Sequence, residues 1–216
     1  MPVSIFEVTV REVCGTCNSG WMNDIDVEIE PVLVALANGQ RQDIPAQSVA
    51  AFSRWASRVA LLRTMSDRSS NGHASAALFH ELYRTQLPPS GTIIRIGALP
   101  QLAFEGGSNG YAHGVVDDRH TAIAEGDPRS TVNLGTWGIG FLYVHVILSF
   151  PGRGRALANH IDSRIRRMEP RLVKVWPNRR RAVTVRNLIP PSDLESMGSM
   201  QYFLHGRAPI VPDYNS

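Results

Sequence analysis

The chain has 216 residues, 43% of them hydrophobic, and a formal net charge of +3. That content is enough for a packed core in one large domain or two small ones, which excludes a disordered or fibrous protein. The longest apolar run, Gly138 to Phe150, contains His145, stops at Pro151 and falls short of the roughly 20 residues that cross a bilayer. Residues 1 to 10 lack the basic start and long apolar centre of a secretory signal, so a cytoplasmic protein with no membrane partner is expected.

Ile5 to Val13 alternates apolar and polar residues with β-branched enrichment and predicts a strand running into Cys14-Gly-Thr-Cys17. Asn18-Ser19-Gly20 favours a turn there. From Trp21 to Asn38 the apolar residues Trp21, Ile25, Val32, Leu33 and Leu36 keep helical spacing. Asp24, Asp26, Glu28 and Glu30 crowd the first half of that helix, where they suit its dipole. Pro31 is expected to split the helix or to start a second one, and Asn38-Gly39 to end it.

Pro45 opens a second helix, in which Val49, Phe52, Trp55, Ala56, Val59, Ala60 and Leu62 form an apolar face up to about Met65. A polar loop, Ser66 to Gly72, leads to a third helix, Ala74 to Gln86, stopped by Pro88-Pro89. From Gly91 the period changes to two. Thr92 to Ile96, Gly110 to Val116, His120 to Ala124, Ser130 to Leu134 and Gly138 to Phe150 predict an antiparallel sheet.

A Gly- and Arg-rich segment follows from Pro151, then a short strand at Arg171 to Trp176, a terminal helix from Pro190 to about Met200, and a loose tail from Gly206. The expected class is α+β: a mainly helical N-terminal part carrying a strand, knuckle and helix, then an antiparallel sheet and a C-terminal helix. The expected divisions are 1–40, 41–90, 91–200 and a tail, 201–216.

Every basic side chain except Lys174 is Arg. Residues 153–186 concentrate them, with Arg155, Arg164, Arg166, Arg167, Arg171, Lys174, Arg179, Arg180 and Arg181 against only Asp162 and Glu169. Guanidinium forks suit phosphate oxygens, so Arg164, Arg166, Arg167, Arg179, Arg180 and Arg181 are the candidate nucleic-acid contacts. The plainer reading is a solvated surface in an Arg-biased protein.

Cys14 and Cys17 admit several readings. Thiolates two residues apart can take adjacent corners of a zinc tetrahedron, but zinc wants four ligands and the chain has two cysteines. Histidines would have to complete the site, the candidates being His73, His80, His113, His120, His145, His160 and His205; only His113 and His120, on neighbouring predicted strands, suggest a pair. A redox dithiol is the second reading. It wants a helix beginning at the first cysteine, whereas the turn expected at Asn18 to Gly20 speaks against one. The third reading is a pair of free thiols in a turn.

Val13-Cys-Gly-Thr-Cys-Asn-Ser-Gly-Trp-Met22, followed by an acidic helix, resembles the second half of the zinc-bearing HNH endonuclease-like module of a group of bacterial proteins. Arg54-Trp55-Ala56, Tyr83 through Pro88-Pro89-Ser90-Gly91, Val175-Trp176-Pro177 and Pro190-Pro191 are similar to later landmarks of those proteins, in the same order. The resemblance implies a nucleic-acid-associated protein with Cys14 and Cys17 as zinc ligands. It places Asn18 where the module has a final His or Asn that contacts the catalytic divalent metal.

In those proteins the first Cys pair and the catalytic His precede the strand that enters the knuckle, and here only Met1 to Ser4 precede that strand. The resemblance therefore implies an incomplete centre in this chain, from a shortened sequence or from loss of the catalytic half, with no self-contained phosphodiester cleavage. Two copies sharing one zinc would complete the tetrahedron. The rival reading is a protein-interaction or assembly module with Trp137, Tyr143 and Trp176 as contacts. A minor one is a hydrolase or binding protein using His113, Asp117, Asp118 and His120, residues that more simply form a hairpin turn.

Overall fold

A computed structural model describes residues 13–66, 72–99, 111–116, 132–150, 153–178 and 181–185. The expected strand from Ile5, the strand His120 to Ala124, the Asp117-Asp118 turn, the terminal helix from Pro190 and the tail lie outside these residues, Val13 apart.

The chain enters α1, Gly15–Cys17, which continues through a π-type turn, Asn18–Met22, into α2, Asn23–Ala37. The backbone bends at Gly20, with φ −98° and ψ −119°. Pro31 neither splits α2 nor restarts it. Its ring sits on the exposed side, and the carbonyl it leaves without a helical partner belongs to Val27, which is itself 61% exposed. Ile25, Ile29, Val32 and Leu36 form the buried stripe. The helix closes as the sequence predicts, on Gly39 at φ +69°, with the Gln40 amide donating to the Ala35 carbonyl at 2.9 Å.

β1, Asp43–Ile44, leads through a 3₁₀ turn into α3, Val49–Ser66, and then α4, Gly72–Thr85. α3 is buried nearly all round, Ser53 and Ser57 included, and those two hydroxyls donate back to the carbonyls of Val49 and Ser53. This follows from its position between α2, α4 and the sheet.

The sheet contains β2 (Ile93–Ala98), β3 (Tyr111–Val116), β4 (Val132–Ile139), β5 (Leu142–Ser149) and β6 (Val173–Trp176) in the antiparallel order β3-β4-β5-β2-β6. β7, Val183–Thr184, pairs separately with β1. The apolar run read as one strand from Gly138 contains a hairpin: Gly140, at φ +54°, turns the chain so that Ile139 pairs with Leu142.

Alternation then sorts the side chains. Ile94, Ile96, Trp137, Val144, Val146 and Leu148 join the core that includes α2, α3 and α4, while Ile93, Leu134, Tyr143 and Ile147 pack on the opposite face. That second face is covered by α5, Arg153–Met168, through Ala158, Ile161 and Ile165. The Gly- and Arg-rich segment, to which the sequence pattern assigns no element, is thus a helix; its glycines and dense arginines hide an apolar spacing of 157, 158, 161, 165 and 168. The architecture is α+β, with N-terminal helices, an antiparallel sheet and a helix toward the C-terminus. No helix among the described residues is long and apolar enough to cross a membrane.

Candidate functional site

Cys14 is the N-cap of α1, with extended backbone (ψ 152°), and its Sγ accepts the Cys17 backbone N–H at 3.3 Å. The Asn18 amide donates to the Cys14 carbonyl at 3.0 Å, and Ser19 Oγ to the Gly15 carbonyl at 2.8 Å. Asn18 and Ser19 therefore continue the helical turn instead of breaking it, because a thiol placed as cap acceptor satisfies the N–H three residues on. The expected break thus falls at Gly20 alone: Cys14 caps a short helical turn through Asn18 and Ser19, and the backbone kinks after it.

Cys14 is exposed and Cys17 half-buried. The hydrogen bond from the Cys17 side chain, helped by the Cys17 backbone N–H, pulls the Cys14 thiol below its ordinary pKa; the same side-chain bond pushes Cys17 up. Asn18 is exposed on the next turn.

The turn is braced from behind. Trp21 packs edge-on to Phe79 at 5.5 Å and tilted against Tyr83 at 5.3 Å, both on α4. From α3, buried Arg58 donates to the Met22 carbonyl at 2.5 Å and forks onto both Asp26 oxygens, while Arg54 pairs with Glu28. The signal in the sequence was two arginines spaced i, i+4 on one helix and two acids on another. Nothing local said that they face each other.

Zinc, which the resemblance implies, has two thiols on one turn here, and two donors do not make its tetrahedral set. Among the described residues no three His, Cys, Asp or Glu side chains gather to hold a metal. His145 is buried in β5 with Nδ1 2.7 Å from Thr136 Oγ1, and burial, helped by Arg95, lowers its pKa to about 4. His80 and His160 are exposed on α4 and α5. The side chains of His73, His113, His120 and His205 lie outside the described residues, so the His113–His120 pair is not placed.

Of the candidate arginines, Arg164, Arg166 and Arg167 fall on α5 and Arg181 is exposed between β6 and β7; Arg179 and Arg180 lie outside the described residues. Arg155, Arg166 and Arg167 are exposed, and Arg164 is half-buried. Both acids of the segment turn inward. Asp162 receives Arg95 Nε and Lys174 Nζ, each at 2.6 Å, and Glu169 receives Arg171 Nε at 2.5 Å. Arg95 also donates to the Leu172 carbonyl at 2.9 Å. Burial alone would push the Asp162 carboxyl up, but the Arg95 and Lys174 hydrogen bonds and charges hold it below its ordinary value.

Trp137, Tyr143 and Trp176, the contacts expected of an interaction module, are core residues. Among the described residues the exposed large apolar side chains are instead Val27 and Val34, seven residues apart on α2, and Tyr83. A cavity of about 210 Å³ between Leu36, Arg41, Ala98 and Phe141 is smaller than the roughly 300 Å³ at which ligand pockets begin.

No family model, curated protein or solved structure matches this chain. What its own side chains offer is a dithiol with Cys14 exposed and Cys17 half-buried, and a helix whose exposed charged side chains, among the described residues, are Arg155, Arg166 and Arg167.

Proposed function

We propose that the chain is a nucleic-acid-associated protein related to HNH endonucleases, and that the outer face of α5 contacts phosphates. One observation carries this reading. Asp162 and Glu169, the acids that would soften the segment's charge, are turned inward into ion pairs, leaving Arg155, Arg166 and Arg167 exposed over about 18 Å of helix axis. The apolar face of the same helix is packed on the sheet, so α5 has none to offer a bilayer. Phosphodiester cleavage is not part of the proposal. Asn18 alone supplies neither a base nor a metal site.

Fluorescence anisotropy of a labelled DNA duplex against salt tests the reading. Binding should weaken steeply between about 50 and 200 mM salt, and replacing Arg155, Arg166 and Arg167 together by Ala should flatten the log–log slope by about 2.7, roughly 0.9 per contact. No binding at the low-salt end, or an unchanged slope in the variant, refutes it. The assembly reading would then gain ground, with Val27 and Val34 of α2 as its exposed apolar contacts.

A further inference from the structure

We propose that Cys14 and Cys17 form a thiol–disulfide exchange pair, in which Cys14 attacks a small or surface-exposed disulfide and Cys17 resolves the product. The proposal is independent of the nucleic-acid reading, and it takes the dithiol as a working site of its own.

Three features of the turn support it. Cys14 is the more exposed of the two, and the Cys17 backbone N–H points at its Sγ, which stabilises negative charge on that sulfur. An i, i+3 separation on a helical turn puts the Cα atoms roughly 5 Å apart, inside the range a disulfide spans. Finally, the turn is joined to α2 through the bend at Gly20, while Trp21 and Met22 beyond the bend are held by Phe79, Tyr83 and Arg58. The sulfurs can close on each other without moving the body of the protein.

The chemistry balances with a disulfide as oxidant. Cys14 thiolate attacks one sulfur of R–S–S–R′, forming a Cys14–S–S–R bond and expelling R′S⁻, which takes up a proton. Cys17, deprotonated to solvent, attacks Cys14 Sγ and expels RS⁻, which is protonated in turn. The dithiol is oxidised to a Cys14–Cys17 disulfide, and the small disulfide is reduced to two thiols.

The test uses the full reduced chain and oxidised glutathione, followed by intact mass, with metal content measured on the same sample. The wild type should end as a monomer lighter by two hydrogen atoms and carrying no glutathione. Cys17→Ser should stop at one glutathione on Cys14, and Cys14→Ser should react at least about tenfold more slowly. Serine accepts the same N–H as an N-cap, so Cys14→Ser keeps the turn and its slowness cannot be assigned to unfolding. Equal rates for the two variants, a wild type that accumulates only mixed disulfide or cross-linked dimer, or bound zinc that leaves both thiols unreactive would each overturn the proposal. The zinc outcome would instead favour the metal knuckle.

Discussion

Asp162→Ala should be among the most damaging single substitutions on the sheet face that α5 covers. In the folded protein Asp162 lies between Arg95, whose side chain is 5% exposed, and Lys174, whose side chain is 36% exposed. Removing the carboxylate leaves the two cations in different situations. Lys174 can turn into water, where loss of a half-exposed pair costs about 0 to 1 kcal/mol. Arg95 cannot, and breaking a buried pair from one side costs about 3 to 5 kcal/mol. The bond from Arg95 to the Leu172 carbonyl survives, which places the expected loss near the lower end, about 3 kcal/mol. For a chain of this size that is a fall in Tm of about 6 to 12 °C.

The sign of the pH dependence follows from the depressed carboxyl. Its contribution is fully present above the unfolded value of about 3.9 and is lost as pH falls through the lower folded value. The gap between wild type and variant should therefore be widest near neutrality and close in strong acid. Urea unfolding at pH 7, followed by circular dichroism and tryptophan fluorescence, measures it. Lys174→Ala is the internal control, and Arg95→Met combined with Asp162→Leu, which replaces the pair by apolar groups, should lose less than Asp162→Ala alone. An Asp162→Ala loss no larger than that of Lys174→Ala would refute the reasoning.

Two further outcomes follow from the same geometry. Gly140→Ala should cost at least about 2 kcal/mol in thermal unfolding, because its φ is +54° and a Cβ there would lie 2.1 Å from the Ala37 carbonyl oxygen, which already accepts the Phe141 amide; Gly15→Ala, with nothing within 4 Å of its Cβ, should stay within about 0.5 kcal/mol. His145, held near a pKa of about 4 by burial, is neutral at pH 7, so its ring resonances should titrate near that value in NMR. Since the unfolded chain binds that proton first, stability should fall by on the order of 3 kcal/mol as pH drops from about 6.5 to 4, and a ring titrating near 6.5 would contradict its burial.

The helices α2, α3 and α4 were legible because their signals are local. Apolar spacing, a Pro45 start, an Asn38-Gly39 stop and a Pro88-Pro89 barrier all act within a turn or two of the residues they govern. The change of period at Gly91 announced the sheet for the same reason. Local signals were misleading or silent where they conflict. Gly140 hid a hairpin inside an apolar run, and the arginines of residues 153–168 masked the apolar stripe of α5. At the knuckle, Asn18-Ser19-Gly20 reads as a turn, yet the Cys14 thiol caps a helical turn that includes Asn18 and Ser19, and the backbone leaves helical geometry only at Gly20.

The sequence by itself determined the helices α2, α3 and α4, the change to a sheet after Gly91, and the presence of a dithiol and an Arg-rich segment. Only the tertiary structure decided what those charges and thiols can do. Asp162 is neutralised by Arg95, 67 residues away, and the turn after Cys14 is braced by Arg58, Phe79 and Tyr83 from two other helices. Whether an acid faces water or a buried guanidinium is set by which elements pack together, and that depends on contacts across the whole chain. A periodicity confined to ten or fifteen residues carries no record of them.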